Sequence, residues 1–180
     1  MVHGLVSLSV PTVELVAPDH LAAALESALP GPLVGIAEGL GGVFQGTALL
    51  VFPAAGSLPL VRASLPPGIP AEDAAEMEEE GLAEIGNIVL NSALARIANL
   101  LGSTIQTALP AVTRGGAADL LQTCGIPSGA SPPVILFHVA FRVESLDVGG
   151  RIVLALDAAS TGVLQQAIGR YIARLLDEPD

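Results

Sequence analysis

Apolar residues concentrate in two stretches of the chain, residues 34–52 and 134–156, and each stretch contains a turn between two strand-like runs. This pattern predicts two β-hairpins. The strands that return after the turns, 46–58 and 150–162, align without gaps at an offset of 104 residues. Because strands joined by hairpins form an antiparallel sheet, we expect an α+β fold with helices covering one face of the sheet.

A second similarity shows that the hairpins belong to a longer internal repeat. Residues 8–25 resemble residues 107–124, and Pro11 matches Pro110 at an offset of 99 residues. Each unit then consists of a proline-containing segment, a short helix, a hairpin and a helix. We predict a single domain built from two pseudo-symmetric repeats. The predicted boundaries are 1–180 for the domain, 1–65 for repeat one, 66–70 for a linker and 71–180 for repeat two.

A long helix is predicted between the two hairpins. It begins after Pro70, because proline is favoured in the first turn of a helix. It can run to about Leu101, where Gly102 is a natural stop. Such a helix is long for a small domain, and the glycine at position 81 indicates a break near Gly81.

A second long helix, roughly residues 160–176, follows the returning strand of the second hairpin. Either Asp157 or Ser160 can cap its first turn. The two long helices are therefore expected to pack on the same face of the sheet.

The first long helix carries polar residues in the middle of its apolar run. On a helical wheel Gly86 falls within the apolar arc, so we expect it to allow close approach to the sheet or to another helix. The opposite side holds Glu80, Glu84, Asn87 and Asn91, followed by Ala95 and Ala98. Periodicity alone favours a solvated face. The stripe has no cation, however, and its alanines suit a close-fitting partner, so a contact surface is the second interpretation.

Composition narrows the possible partners. The net charge is −11, which disfavours nucleic acid and anionic membranes and suits a partner with a basic rim. No signal peptide and no apolar run long enough to cross a membrane is apparent. The single Cys124 permits no internal disulfide and fits a reducing cytoplasm, so we expect a cytoplasmic protein. We find no nucleotide-binding, hydrolase or metal-ligand motif, and expect no metal site of the chain's own.

The stretch "EEEGLAEIGNIVLNSALARIA" resembles the CheC/CheX/FliY family of bacterial chemotaxis phosphatases. The family motif is Asp or Ser, three residues, Glu, two residues, Asn, then about 22 residues and Pro. Glu84 and Asn87 match the pair, and residues 88–109 separate Asn87 from Pro110. Position 80 departs from the motif, since it is Glu80 here. The repeated layout is also similar to that of CheC.

The resemblance implies hydrolysis of the aspartyl phosphate of a CheY-like receiver domain in chemotaxis signalling. In that case Asn87 would orient the attacking water, Glu84 would pair with a receiver lysine, and Glu80 and Asn91 would form the rim that contacts the receiver. The Mg²⁺ would belong to the receiver. The amide suits its role because it offers a donor and an acceptor and is neutral, so a phosphoryl group does not repel it.

The resemblance also leaves a non-catalytic alternative. Flagellar switch proteins share a related fold without needing the motif, and CheC proteins also bind the receptor deamidase CheD, so a scaffold that binds CheD or a receiver is the rival hypothesis. CheC-like proteins carry two motif helices, and the offset of 99 places the first before Met1. Its absence would expose apolar sheet, which indicates either a homodimer that buries the sheet or a first helix encoded upstream of Met1.

Overall fold

The computed structural model describes residues 6–8, 12–126, 134–138, 141–143, 146 and 148–177. Pro11, which the repeat matches to Pro110, lies outside them. The elements in chain order are β1 (Val6–Leu8), β2 (Thr12–Val16), α1 (Pro18–Ala28), β3 (Leu33–Gly42), β4 (Gly46–Pro53), a 3₁₀ turn (Ala54–Gly56), α2 (Ser57–Ser64), α3 (Ala71–Glu76), α4 (Glu78–Leu101), β5 (Ile105–Thr107), β6 (Ala111–Gly115), α5 (Ala117–Thr123), β7 (Val134–His138), β8 (Phe141–Val143), β9 (Arg151–Leu156) and α6 (Ala158–Asp177).

The main sheet contains both predicted hairpins and is antiparallel throughout. Its strands follow the order β2-β7-β9-β4-β3-β5, and β6 pairs with β3 on the same side as β5. Strands β1 and β8 form a separate antiparallel pair. The predicted α+β fold with an antiparallel sheet is therefore confirmed.

Strand pairing follows the internal repeat. The two returning strands, β4 and β9, pair with each other at the centre, where Leu49 lies opposite Val153. The offset of 104 equates these same two residues, so a pseudo-two-fold axis passes between them. The first strand of each repeat pairs with the hairpin of the other, since β2 pairs with β7 and β6 pairs with β3. The repeats are thus interlocked in one sheet.

The aliphatic core has two layers, one on each face of the sheet. On one face the buried side chains of the central strands meet α2, α4 and α6, including Leu50, Leu90 and Leu164. On the other face they meet α1 and α5, including Leu25 and Leu120. The long helices do share one face, as predicted. The shorter α1 and α5 cover the opposite face as well, which is an addition to the expected single helical layer.

The reason for the second layer is visible in β4, where buried residues run without alternation from Ala48 to Phe52. A strand that is apolar on both sides must be covered on both faces. The hairpin pattern predicted the sheet, but it did not predict helices on both faces.

The break in the long helix lies at Met77, not near Gly81 as expected. Helix α3 ends at Glu76 and α4 begins at Glu78. Gly81 continues the helix and serves packing instead, because a β-carbon there would lie 2.8 Å from Val61 Cγ1 on α2. The predicted stop is confirmed, since Gly102 ends α4 in the left-handed conformation with φ of 60°.

Helix α6 begins directly after Asp157, which is one of the two residues predicted to cap it. Asp157 Oδ1 accepts a hydrogen bond from the backbone N–H of Ser160 at 2.7 Å. Hydrogen bonds from the side chain and from the backbone N–H of Ser160 lower the pKa of Asp157.

Candidate functional site

Helix α4 lies directly against the sheet because Gly86 lacks a side chain. A β-carbon at Gly86 would overlap with Ile36 Cγ2 and would lie 2.9 Å from Ile36 Cβ on β3. The expected close approach at Gly86 is therefore confirmed, and its neighbour is the sheet. This contact fixes which face of α4 points away from the core.

The outward face of α4 presents the predicted polar residues at two depths. Glu80 and Glu84 are exposed, whereas Asn87 and Asn91 are half-buried. Asn91 Nδ2 donates a hydrogen bond to Asn87 Oδ1 at 2.5 Å. The structure therefore joins Asn87 and Asn91 one helical turn apart, with the two carboxylates towards the N-terminal end.

Strand β5 extends this polar contact. Thr107 Oγ1 donates a hydrogen bond to Asn91 Oδ1 at 3.2 Å. Thr107 pairs with Leu40 of β3, so the hydroxyl is held by the edge of the sheet. Sequence inspection missed Thr107 because its contact with α4 depends on how β5 joins the sheet.

A groove of about 980 Å³ runs along the N-terminal half of α4 and is called the α4 groove below. Its walls are the end of α2, Met77 together with most of the α4 residues between Glu80 and Ile88, and the segment 107–110. Glu80, Glu84 and Asn87 line it, and so does Pro110. The residues of the sequence motif thus line one groove, although Pro110 is distant from the others in the chain.

Three other residues of the outward stripe, one asparagine and two alanines, lie outside the α4 groove. Asn91 does not line it and contacts Asn87 and Thr107 instead. Ala95 and Ala98 lie further along the helix and do not line it either. The groove therefore covers only the N-terminal part of the predicted stripe.

Exposed apolar side chains surround the carboxylates of the α4 groove. Met77, Ile88 and Leu109 line it with 39%, 48% and 91% of their surface exposed. The lining residues, all in the described part of the chain, include no Lys, Arg or His. Leu109 stands next to Pro110 in sequence, but its exposure could not be inferred from an apolar residue type.

The first turn of α4 is tied to two other elements through Glu78. Ser57 Oγ donates to Glu78 Oε1 at 2.6 Å from α2, and Arg114 donates to the same oxygen at 3.1 Å from β6. The Ser57 hydrogen bond and, to a smaller extent, Arg114 lower the pKa of Glu78 against the opposing effect of burial. These contacts hold the end of α4 that borders the groove.

A buried carboxylate lies on the same face of the sheet as α4. Glu38 of β3 is 0% exposed, and neither of its oxygens has a hydrogen-bond partner among the described residues. Burial raises the pKa of Glu38 to about 7. Sequence inspection missed it, although Val34, Ile36 and Leu40 mark position 38 as core-facing by their two-residue spacing.

The described residues contain neither a metal-binding cluster nor a membrane-spanning helix. No three His, Cys, Asp or Glu side chains there lie close enough to hold a metal ion. No helix there combines the length and apolarity needed to cross a membrane. Cys124 is half-buried, and burial raises the pKa of its thiol, which disfavours the reactive thiolate.

Comparison with known proteins gives the fold a context. No protein-family model and no curated protein matches the chain. The crystal structure of FliY from Thermotoga maritima matches with a TM-score of 0.65 and 18% identity, over 94% of this chain and 82% of that one. The chemotaxis protein CheX from Desulfovibrio desulfuricans matches with a TM-score of 0.52 and 18% identity, over 87% and 89%.

A third match is the FliM middle domain from H. pylori, with a TM-score of 0.50 and 10% identity, over 92% of this chain and 84% of that one. At these identities the similarity concerns the path of the backbone. It agrees with the resemblance that the sequence carries at α4. The chain therefore has the fold shared by FliY, CheX and the FliM middle domain.

Proposed function

We propose that this chain is a phosphatase for the aspartyl phosphate of a CheY-like receiver domain and acts in chemotaxis or two-component signalling. The observation that carries the proposal is the meeting of Glu84, Asn87 and Pro110 in the α4 groove. The shared fold with the chemotaxis protein CheX supports the same setting. The substrate is a protein surface, and the groove is open enough to receive one.

Asn87 is assigned to the reacting water. In the hydrolysis the water oxygen attacks phosphorus, the bond from phosphorus to the aspartyl oxygen breaks, and inorganic phosphate leaves a free carboxylate on the receiver. Such a reaction needs positioning and charge neutralisation more than covalent chemistry. The neutral amide of Asn87 can hold the water without repelling the phosphoryl group.

Glu84 is assigned to docking. Its exposed carboxylate lies one helical turn before Asn87, where it can pair with a lysine of the receiver and set the register of the complex. Glu80 lines the same groove and adds to its negative charge. The Mg²⁺ that neutralises the phosphoryl group is assigned to the receiver, which is the substrate.

The test is the decay of a CheY-like receiver from the same organism, phosphorylated with acetyl phosphate in the presence of Mg²⁺. We expect the parent chain to accelerate the decay, and Asn87→Ala to reduce the acceleration on the order of a hundredfold. Glu84→Gln should chiefly raise KM, because it removes a docking charge. Asn99→Ala is the matched control, since Asn99 is an exposed asparagine of α4 outside the groove.

The rival function is a non-catalytic module that binds a receiver or the deamidase CheD. The fold shared with the FliM middle domain supports testing this alternative as well. A scaffold would bind the receiver without shortening the life of its phosphate. Full activity of both Asn87→Ala and Glu84→Gln would overturn the site assignment. A parent chain that leaves every tested receiver unaffected would overturn the phosphatase itself.

A further inference from the structure

Asn87 has an amide whose two ends differ in chemistry but not in shape. Rotation by half a turn exchanges the Nδ2 donors with the Oδ1 acceptor. A side chain that positions water and phosphoryl oxygens must keep one orientation. Something beside Asn87 must therefore distinguish its two ends.

The structure provides a directional chain of hydrogen bonds at this point. The Thr107 hydroxyl donates to Asn91 Oδ1 at 3.2 Å, and the Nδ2 end of Asn91 faces Asn87. Asn91 Nδ2 then donates to Asn87 Oδ1 at 2.5 Å. This contact uses one of the two acceptor positions on Asn87 Oδ1 and no donor of its Nδ2 group.

The positions of the three residues also suit a supporting role for Asn91 and Thr107 towards Asn87. Asn87 and Thr107 line the α4 groove, whereas Asn91 does not. Thr107 is anchored by the pairing of β5 with β3, and Asn91 is half-buried on α4. The series of hydrogen bonds therefore begins on the sheet, passes through a residue outside the groove lining and ends on Asn87, which lines the groove.

We infer that Asn91 and Thr107 are positioning residues for Asn87, which fix its Oδ1 end and leave its Nδ2 donors for the reacting groups. This inference rests on the proposed phosphatase function. It gives Asn91 a task different from the receiver-contacting rim that the sequence resemblance implied. It also gives a role to Thr107, which lies outside the sequence motif.

The experiment measures kcat and KM for a receiver phosphorylated with acetyl phosphate, with Mg²⁺ present. We expect Thr107→Val and Asn91→Ala each to lower kcat about tenfold while KM stays within twofold, because valine keeps the shape of Thr107 in the groove and Asn91 lies outside the groove lining, so that chiefly the orientation of Asn87 is lost. Thr107→Ser keeps the hydroxyl and should retain kcat within twofold. Asn99→Ala serves as the matched asparagine control.

Side-chain ¹⁵N relaxation of the Asn87 NH₂ group provides a second measurement that does not require turnover. The group should be ordered in the parent chain and in Thr107→Ser, and mobile in Thr107→Val. An active parent with kcat unchanged in Thr107→Val, or an NH₂ group equally ordered in all variants, overturns the positioning role alone. An inactive parent overturns the proposed function and this inference together.

Discussion

The polar residues of α4 and the buried carboxylate of β3 differ in how far the sequence could predict their surroundings. Glu84 and Asn87 sit on the outward side of a helix, and the wheel identifies that side because the helical period is maintained over 24 residues. Glu38 sits on the inward side of a strand. The two-residue spacing of its apolar neighbours indicates its core-facing position, which sequence inspection missed, whereas its lack of a hydrogen-bond partner among the described residues is visible only in the three-dimensional contacts.

Glu38 makes the stability of the fold depend on pH. Its pKa is about 7 in the folded chain and has its ordinary value of 4.5 in the unfolded chain. Below pH 4.5 the group is protonated in both states and imposes no penalty. Between pH 4.5 and 7 the unfolded chain ionises Glu38 while the folded chain keeps it protonated, so the folded state loses stability over this range, and the loss levels off at roughly 3 kcal/mol by about pH 8. Glu38→Gln should remove this loss.

Urea denaturation of the parent and of Glu38→Gln at pH 5 and pH 8 measures the effect. We expect similar free energies of unfolding at pH 5 and a more stable variant at pH 8. Glu79→Gln changes an exposed carboxylate of α4 and should leave the pH dependence as it is in the parent. Equal loss of stability in the parent and in Glu38→Gln between the two pH values would show that Glu38 ionises without penalty.

The role of Thr107, like the missing partner of Glu38, could not be predicted from the sequence. Its partner Asn91 is 16 residues away in the chain, and their contact exists only because β5 pairs with β3 beside α4. No local pattern in the sequence reports such a contact. Residue types and helical spacing could therefore identify the motif side chains, while the groups that hold them depended on tertiary structure.

At the scale of elements, two glycines determine how α4 is packed. Gly86 lets the helix approach Ile36 on the sheet, and Gly81 lets it approach Val61 on α2. The wheel assigned Gly86 to the core because it lies among apolar neighbours. Gly81 was interpreted as a break because glycine weakens helices, yet tertiary packing outweighs the roughly 1 kcal/mol of helix propensity that it loses.

Gly86→Ala tests the contact between α4 and the sheet. Alanine gains about 1 kcal/mol of helix propensity, but its methyl group would overlap with Ile36, and overpacking a filled core costs about 1–3 kcal/mol. We expect a net loss of up to about 2 kcal/mol in the free energy of unfolding, measured by urea denaturation.

Gly169→Ala in α6 is the control, because a β-carbon there meets nothing within 4 Å. That substitution should leave the protein as stable as the parent or more stable by up to about 1 kcal/mol. A Gly86→Ala protein that gains stability to the same extent would mean that α4 has room to move away from β3.

For the whole molecule, the repeat predicted equivalences but could not predict pairings. The offset of 104 identified β4 and β9 as counterparts, and they proved to be central partners related by a pseudo-two-fold axis. An alignment contains no information on whether β2 joins its own hairpin or the other one. The exchange of first strands makes each repeat complete only in the presence of the other.

Charge and apolar surface together define the kind of partner that the whole molecule suits. The net charge is −11, and the α4 groove is lined by Glu80 and Glu84 without a cation among its described lining residues. Met77, Ile88 and Leu109 are three of the five large hydrophobic residues found exposed in the described part of the chain. A partner with apolar patches inside a basic rim would complement this surface.

Leu109 is the sharpest test of this surface because it is 91% exposed and so contributes little to the fold. Its burial in a complex would be worth about 1–2 kcal/mol, so Leu109→Ala should raise KM for the phosphorylated receiver roughly tenfold with kcat unchanged. Thermal denaturation should show the same melting temperature as the parent. Val163→Ala, an exposed apolar position on α6 outside the groove, should leave KM unaltered. Equal KM values for the parent, Leu109→Ala and Val163→Ala would place the receiver on a different surface of the molecule.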